Sequence, residues 1–325
     1  MRNKIINTFK GYMVILLDIF IREPRMTRKF YNNKSKGVKV SNRYIFKKKK
    51  KIPHGGMCDR LKGIITIYAL AKATGKDFRI CFNYPFRLNK YLQPKDYNWE
   101  IEDKDICYSF PNSRPIIAYG EIKNTKRLIR DRKGEIHFYY GYNSLADINR
   151  RYGTNYDWGS LYRELFMPTP YLQQYIDKYH KEINGQYVAI HTRFLNLLGD
   201  KVETDINPEL GETEKRDLLD KISAVVKGIA KQEGNKRIII CSDSMNFINH
   251  ITKEISNLYV IPGMVKHIDT AGVTNDSENI KMFLDYHLIS KASKVYNIVA
   301  KGMWPSAFSE YSAKIGNVTF ERITI

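Results

Sequence analysis

The chain has 325 residues, 43% of them hydrophobic and 27% charged, which excludes a disordered chain and allows two domains with separate cores. Its mean hydropathy is too low for a polytopic membrane protein. The net charge is +20, but residues 1–51 hold 16 of the 54 Lys and Arg and 2 of the 34 Asp and Glu, so the rest is nearly balanced. That distribution points away from a global nucleic-acid binder and towards a local anionic target near the N-terminus.

Residues Ile5 to Ile21 are apolar and predict a helix, with Asp18 ending the continuous run that begins at Tyr12. The run is too short to span a bilayer. Two readings stand: a core helix, or an interfacial helix that docks on an anionic membrane beside the run Lys47–Lys51. For the lysines, the plain alternative is a solvated loop. Residues 22–51 lack a period and read as a connector.

Apolar spacing then predicts a helix over Asp59–Ala73, stopped by Gly75, and strands at Phe78–Phe82, Ile116–Tyr119 and Ile136–Tyr140. Helices follow at Trp158–Phe166 and Tyr171–Lys181. The second half alternates regularly. Strands are expected at Tyr187–His191, Arg237–Cys241, Leu258–Ile261 and Val295–Val299. Helices are expected at Glu212–Gln232, Ser244–Glu254, Ser277–Ser290 and Pro305–Lys314. This alternation predicts an open α/β sheet with ligands at the carboxyl ends of its strands. The expected divisions are a basic segment 1–51, an α/β domain 52–182 and a Rossmann-like domain 183–325. The four cysteines, Cys58, Cys81, Cys107 and Cys241, lack metal-ligand or redox spacing; buried free thiols fit a reducing, cytoplasmic setting.

Four short motifs sit where this fold would place a ligand. His191-Thr192-Arg193 ends a strand, and the guanidinium fork of Arg193 matches phosphate oxygens. An ion pair with a loop carboxylate is the bland alternative. Asp243 follows the next strand and suits a nucleobase or ribose, or the cap of the following helix. Ser306-Ala307-Phe308-Ser309 follows a third strand at a helix start that suits an anion. Gly55-Gly56 opens the first long helix, with Arg60 in reach of a phosphate. Asp200, Glu203 and Asp205 are candidates for a general base.

In their order these motifs resemble the inverting GT-B fucosyltransferases, the group containing α1,2-, α1,6- and O-fucosyltransferases, of the bacterial surface-glycan type. The resemblance implies two Rossmann-like domains facing across a cleft and GDP-fucose as donor. It implies a glycan or lipid-linked oligosaccharide acceptor, and no metal or other cofactor. Arg193 would support the departing β-phosphate, His191 and Asp243 the guanine, and Ser306 to Ser309 the diphosphate. Gly55, Gly56 and Arg60 would complete the donor site, and Arg193, Asp200 and Glu203 the catalytic set. Many relatives carry a second Arg directly after the first, where this chain has Phe194. A peripheral position at the inner membrane face through residues 1–51 is expected, with no nucleic-acid partner. A GT-B transferase for another nucleotide sugar, and a non-catalytic basic protein at a membrane or other anionic surface, are the alternatives.

Overall fold

A computed structural model describes residues 12–32, 42–48, 55–118, 125–200, 208–263 and 275–325. The chain forms two compact units, Met1–Met167 and Pro168–Ile325. The division therefore lies before the position expected from sequence. Helix Pro170–Ile183 packs with helix Asp276–Ser290 of the second unit, burying Leu172, Ile176 and Ile183.

The first unit is built on four parallel strands: β1 (Arg43–Lys47), β2 (Asp77–Cys81), β4 (Ser113–Ala118) and β5 (Glu135–Tyr140), in the order β2-β1-β5-β4. Short strands β3 (Leu92–Pro94) and β6 (Phe166–Pro168) pair separately. Helix Met57–Ala73 crosses over from β1 to β2 and is buried along most of its length. Apolar residues on all its faces fit a helix packed between a sheet and helices Leu145–Tyr152 and Trp158–Leu165.

β1 corrects the connector reading of residues 22–51. Tyr44, Ile45 and Phe46 are fully buried at an interior position of the sheet. Their short run lies between Arg43 and the lysines, so no period revealed it. Lys47 and Lys48 are also buried, which excludes a solvated loop for them; residues 49–51 lie outside the described residues.

Nor are residues 12–30 a separate segment. A helical stretch contains a π-turn at Asp18–Arg22 and continues as helix Glu23–Phe30. Met26 and Tyr31 pack with Ile117 and Tyr139, and Glu23 ion-pairs with Arg127. Its earlier part is not a core helix: Tyr12, Met13, Leu16, Leu17, Phe20 and Ile21 are all exposed. No helix among the described residues is long and apolar enough to cross a membrane.

The second unit has five parallel strands, β7 (Tyr187–Thr192), β8 (Arg237–Ser242), β9 (Leu258–Val260), β10 (Lys294–Val299) and β11 (Thr319–Thr324). Their order is β11-β10-β7-β8-β9. From β7 the chain moves outward through β8 and β9, then returns to the other side of β7 with β10 and β11. The topological switch point therefore lies between β7 and β10, where such sheets hold ligands outside their carboxyl ends. All six residues of β7 are buried, as expected for a strand covered on both faces.

Two helix starts differ from expectation. The third long helix of this unit begins at Asp276 and is capped by Asn275, which forms a reciprocal box with Glu278. The last begins at Phe308 rather than Pro305. Trp304 is held back by its N–H bond to the Arg193 carbonyl, and Ser306 Oγ accepts the N–H of Phe308. That helix ends at Gly316, where a Cβ would stand 1.7 Å from the Ser290 carbonyl oxygen; no other residue allows this approach.

Candidate functional site

Three strand-to-helix junctions of the second unit lie side by side, because β10, β7 and β8 are neighbours. His191 is at the centre and is buried. Its Nδ1 lies 3.2 Å from Ser309 Oγ and 3.4 Å from Asn297 Nδ2. An amide nitrogen can only donate, so Nδ1 is the acceptor and the neutral ring carries its proton on Nε2. The ring stacks on Phe308 at 5.6 Å, and Phe308 packs in turn on Tyr286. Asn297 also donates from Nδ2 to the His191 carbonyl at 3.0 Å and accepts from Arg322 Nε at 2.9 Å. Sequence reading missed Asn297, because a fully buried Asn in an otherwise apolar strand signals only that some partner must exist.

On the other side, Thr192 Oγ1 lies 3.0 Å from Ser242 Oγ and joins the ends of β7 and β8. The turn after β7 is fixed by Asp243. Its two carboxylate oxygens accept the N–H groups of Phe194 at 2.8 Å and Leu195 at 3.0 Å. Leu195 has a φ of +56°, in the left-handed region that costs a non-glycine residue roughly 1–2 kcal/mol. Two charge-assisted hydrogen bonds offset that strain. Asp243 thus holds in place the backbone that follows Arg193, and Arg193 is itself tied to the third junction through its carbonyl.

Phe194 is fully buried against Phe247 in the core of this unit. An Arg here would place a charge in that apolar cluster, so a second Arg directly after Arg193 has no room in this packing. Asp200 caps a helix: its Oδ2 accepts from Ser244 Oγ at 2.9 Å and from the Asn246 N–H at 2.7 Å, at the start of helix Met245–Glu254. Ser244, not Asp243, is the N-cap residue of that helix. Glu203 and Asp205 lie outside the described residues.

Gly55, Gly56 and Arg60 belong to the first unit. Gly55 has a φ of +72° and a Cβ there would meet Asp59 Oδ2 at 2.4 Å, so the loop requires glycine. Gly56 caps helix Met57–Ala73. Arg60 is fully buried; its Nε donates to the Gly55 carbonyl at 3.2 Å and its guanidinium lies 5.3 Å from the centre of the Phe82 ring. It braces the glycine loop from beneath.

No protein-family profile matches the chain, and no curated protein matches it in sequence. Solved structures do. Fucosyltransferase NodZ from Bradyrhizobium gives a TM-score of 0.53 at 11% identity, over 83% of this chain and 92% of that one. NodZ α1,6-fucosyltransferase co-crystallized with GDP gives 0.54 at 11% identity, over 84% and 92%. A variant of Arabidopsis thaliana FUT1 in complex with GDP gives 0.56 at 10% identity, over 96% and 74%. The chain therefore has the fold of the GT-B fucosyltransferases, an α/β architecture of two units with parallel sheets.

Proposed function

We propose that this chain is a glycosyltransferase that moves fucose from GDP-fucose to a glycan or lipid-linked oligosaccharide acceptor, with inversion and without a metal. The observation that supports it best is the lacing of His191, Arg193 and Ser309 across the switch point of the second unit's sheet. It occurs in a fold whose NodZ and FUT1 members were solved with GDP or GDP-fucose. Single displacement at the anomeric carbon develops negative charge on the departing diphosphate. The Arg193 guanidinium would carry that charge, aided by the positive end of helix Phe308–Gly316. His191 offers Nε2–H and the Phe308 face to the base. Asp243 acts first as a positioning residue, since both its oxygens already hold backbone. Asp200 is weaker as a base than its place in the sequence suggested, because its Oδ2 caps a helix.

Thermal shift with GDP, UDP and ADP, followed by a GDP-fucose hydrolysis assay, tests the reading. Selective stabilisation by GDP with slow donor hydrolysis is expected. Selective stabilisation by UDP or ADP favours another GT-B donor, and no nucleotide effect favours a non-catalytic anion binder.

We propose further that the first unit docks peripherally on an anionic membrane. The exposed stripe Tyr12, Met13, Leu16, Leu17, Phe20 and Ile21 is one contact. The other is a hollow of about 670 Å³ lined by Arg114, Lys126, Arg127, Arg130, Arg132 and Lys133, with Asp131 beside them. The Glu23–Arg127 ion pair links the helical stretch to this basic hollow. Burial and the neighbouring Arg127 lower the pKa of Arg132 to about 10, a sign of crowded positive charge. Each basic group near an anionic surface contributes roughly 1 kcal/mol. Co-sedimentation with phosphatidylserine vesicles should be strong, and weak with neutral vesicles or for a Leu16→Glu, Phe20→Glu variant. Equal sedimentation of variant and parent removes the proposal.

A further inference from the structure

The carboxyl edge of the first unit's sheet carries a cavity that the donor chemistry leaves unused. Its volume is about 320 Å³, within the range of small-ligand sites. Lys47 ends β1, Cys81 ends β2, and Tyr139 is next to last in β5; all three line it. Lys48, Tyr31 and Tyr108 form further wall. This is the edge at which open parallel sheets hold their ligands.

Lys47 is the unusual residue. It is 6% exposed, donates from Nζ to the Tyr108 hydroxyl, and lies 4.7 Å from the centre of that ring. Among the described residues no carboxylate is in ion-pair contact with it. Asp103 lines the cavity, but its oxygens accept from Cys81 Sγ at 3.3 Å and Asn83 Nδ2 at 3.4 Å. Burial opposes the lysine's charge, and only the polar groups of Cys81, Tyr139 and Tyr108 beside it favour the charged form. Burial also raises the pKa values of those three, Tyr139 to about 12, so they stay protonated and supply no anion. A buried ammonium without a paired carboxylate is costly and calls for an anionic partner.

The walls are fixed beforehand. Tyr31 Oη lies 2.6 Å from His137 Nδ1, and His137 Nε2 lies 2.8 Å from Glu135 Oε1. Glu135 Oε2 accepts from Arg43 Nε at 2.6 Å. This buried chain locks one aromatic wall, so little ordering remains to oppose binding. Aromatic faces flanking a cation suit a ring with C–H faces and a negative group.

We propose that this cavity binds an anionic sugar unit, bearing a carboxylate or a phosphate, with the charge on Lys47 and Lys48 and the ring against the tyrosines. That it belongs to the acceptor rests on the transferase reading; the binding itself does not. The test is titration of the full chain, without donor, with glucuronate, glucose 6-phosphate, glucose and inorganic phosphate, followed by ligand-observed NMR. The expected result is at least tenfold tighter binding of one or both acidic sugars than of glucose or inorganic phosphate; which acid binds better identifies the charged group. Lys47→Met should abolish the preference and Lys48→Gln should reduce it several-fold. Equal binding of glucose and the acids, or no binding of any sugar, overturns the proposal. So does a preference that survives in a folded Lys47→Met chain. If Lys47→Met fails to fold, Lys48→Gln decides, and an unchanged preference there overturns it. GDP binding by thermal shift on the same sample fails or succeeds independently, which separates this inference from the donor reading.

Discussion

The two sheets present opposite chemistries at equivalent edges. The second unit's edge is assembled from neutral partners, His191, Asn297, Ser309 and Thr192, with one carboxylate, Asp243, spent on backbone. Arg193 brings positive charge to the strand-end turn there, and Arg322 brings it to Asn297 and the Ser306 carbonyl. The first unit's edge instead buries an ammonium among tyrosines. In the second, order comes from strand ends laced to one another. In the first, it comes from the hydrogen-bonded chain Tyr31–His137–Glu135–Arg43 beneath the wall. One architecture thus fixes an edge either by backbone capture or by a buried hydrogen-bonded chain, and the two should fail differently.

Arg193→Ala is the sharpest test, because it should strip chemistry and leave structure. Donor turnover should fall by about 10²–10³-fold, the scale for loss of one stabilising donor to developing charge. The melting temperature should hold. If turnover falls less than tenfold, the second edge is not the donor site. Asp243→Ala should act the other way, on structure first. It deprives two N–H groups and a left-handed Leu195 of their anchor, a loss of about 2–4 kcal/mol in urea unfolding. GDP affinity should fall with it. Unchanged stability would mean that backbone capture does not hold this turn.

Acid compares the two units directly. Burial lowers the pKa of His137 in the first unit to about 4, from a usual 6.5, against the opposing pull of its bond to Glu135. Burial, with the Lys291 charge adding to it, lowers His287 in the second unit to about 4 as well. Each imidazole is neutral when folded and takes up a proton more readily when unfolded. Stability from both is therefore complete above pH 6.5 and is lost as pH falls towards 4. His287→Phe should flatten that loss in melting curves between pH 7 and 4.5. His137→Phe should instead destabilise at all pH values, since it strips the hydrogen bonds of Tyr31 and Glu135. Identical pH profiles for the two variants would erase the contrast. The smallest effect belongs to Asp200→Asn. Asn caps a helix about as well as Asp, so stability should hold, and turnover should change less than tenfold. A larger loss of turnover at constant stability would restore Asp200 as the base.

The second unit was the more legible of the two because buried parallel strands write themselves as apolar runs, as in Tyr187–Ile190 and Ile238–Cys241. The polar residues that end them fall at the ligand edge. β11 stayed hidden, being a half-exposed edge strand of mixed polarity. β1 stayed hidden because its neighbours are charged, and the burial of Lys47 depends on tyrosines far away in the chain. The roles of Asp243 and Asp200 were ambiguous for the same reason. Each carboxylate reaches more than 40 positions along the chain to its partner, and local spacing carries no trace of such contacts. Gly55 was legible as a turn, but the burial of Arg60 beneath it was not.

Arg322 gives the last strand a weight that edge strands rarely have. Its Nε holds Asn297, which holds the His191 carbonyl, and its Nη2 donates to the Ser306 carbonyl at 3.2 Å. A fusion or deletion that displaced residues 319–325 would therefore be felt at the centre of the sheet, in the tilt of an imidazole two strands away. Engineering of this protein is safer at other positions, and Arg322→Met offers a way to loosen the second unit's edge from its outermost strand.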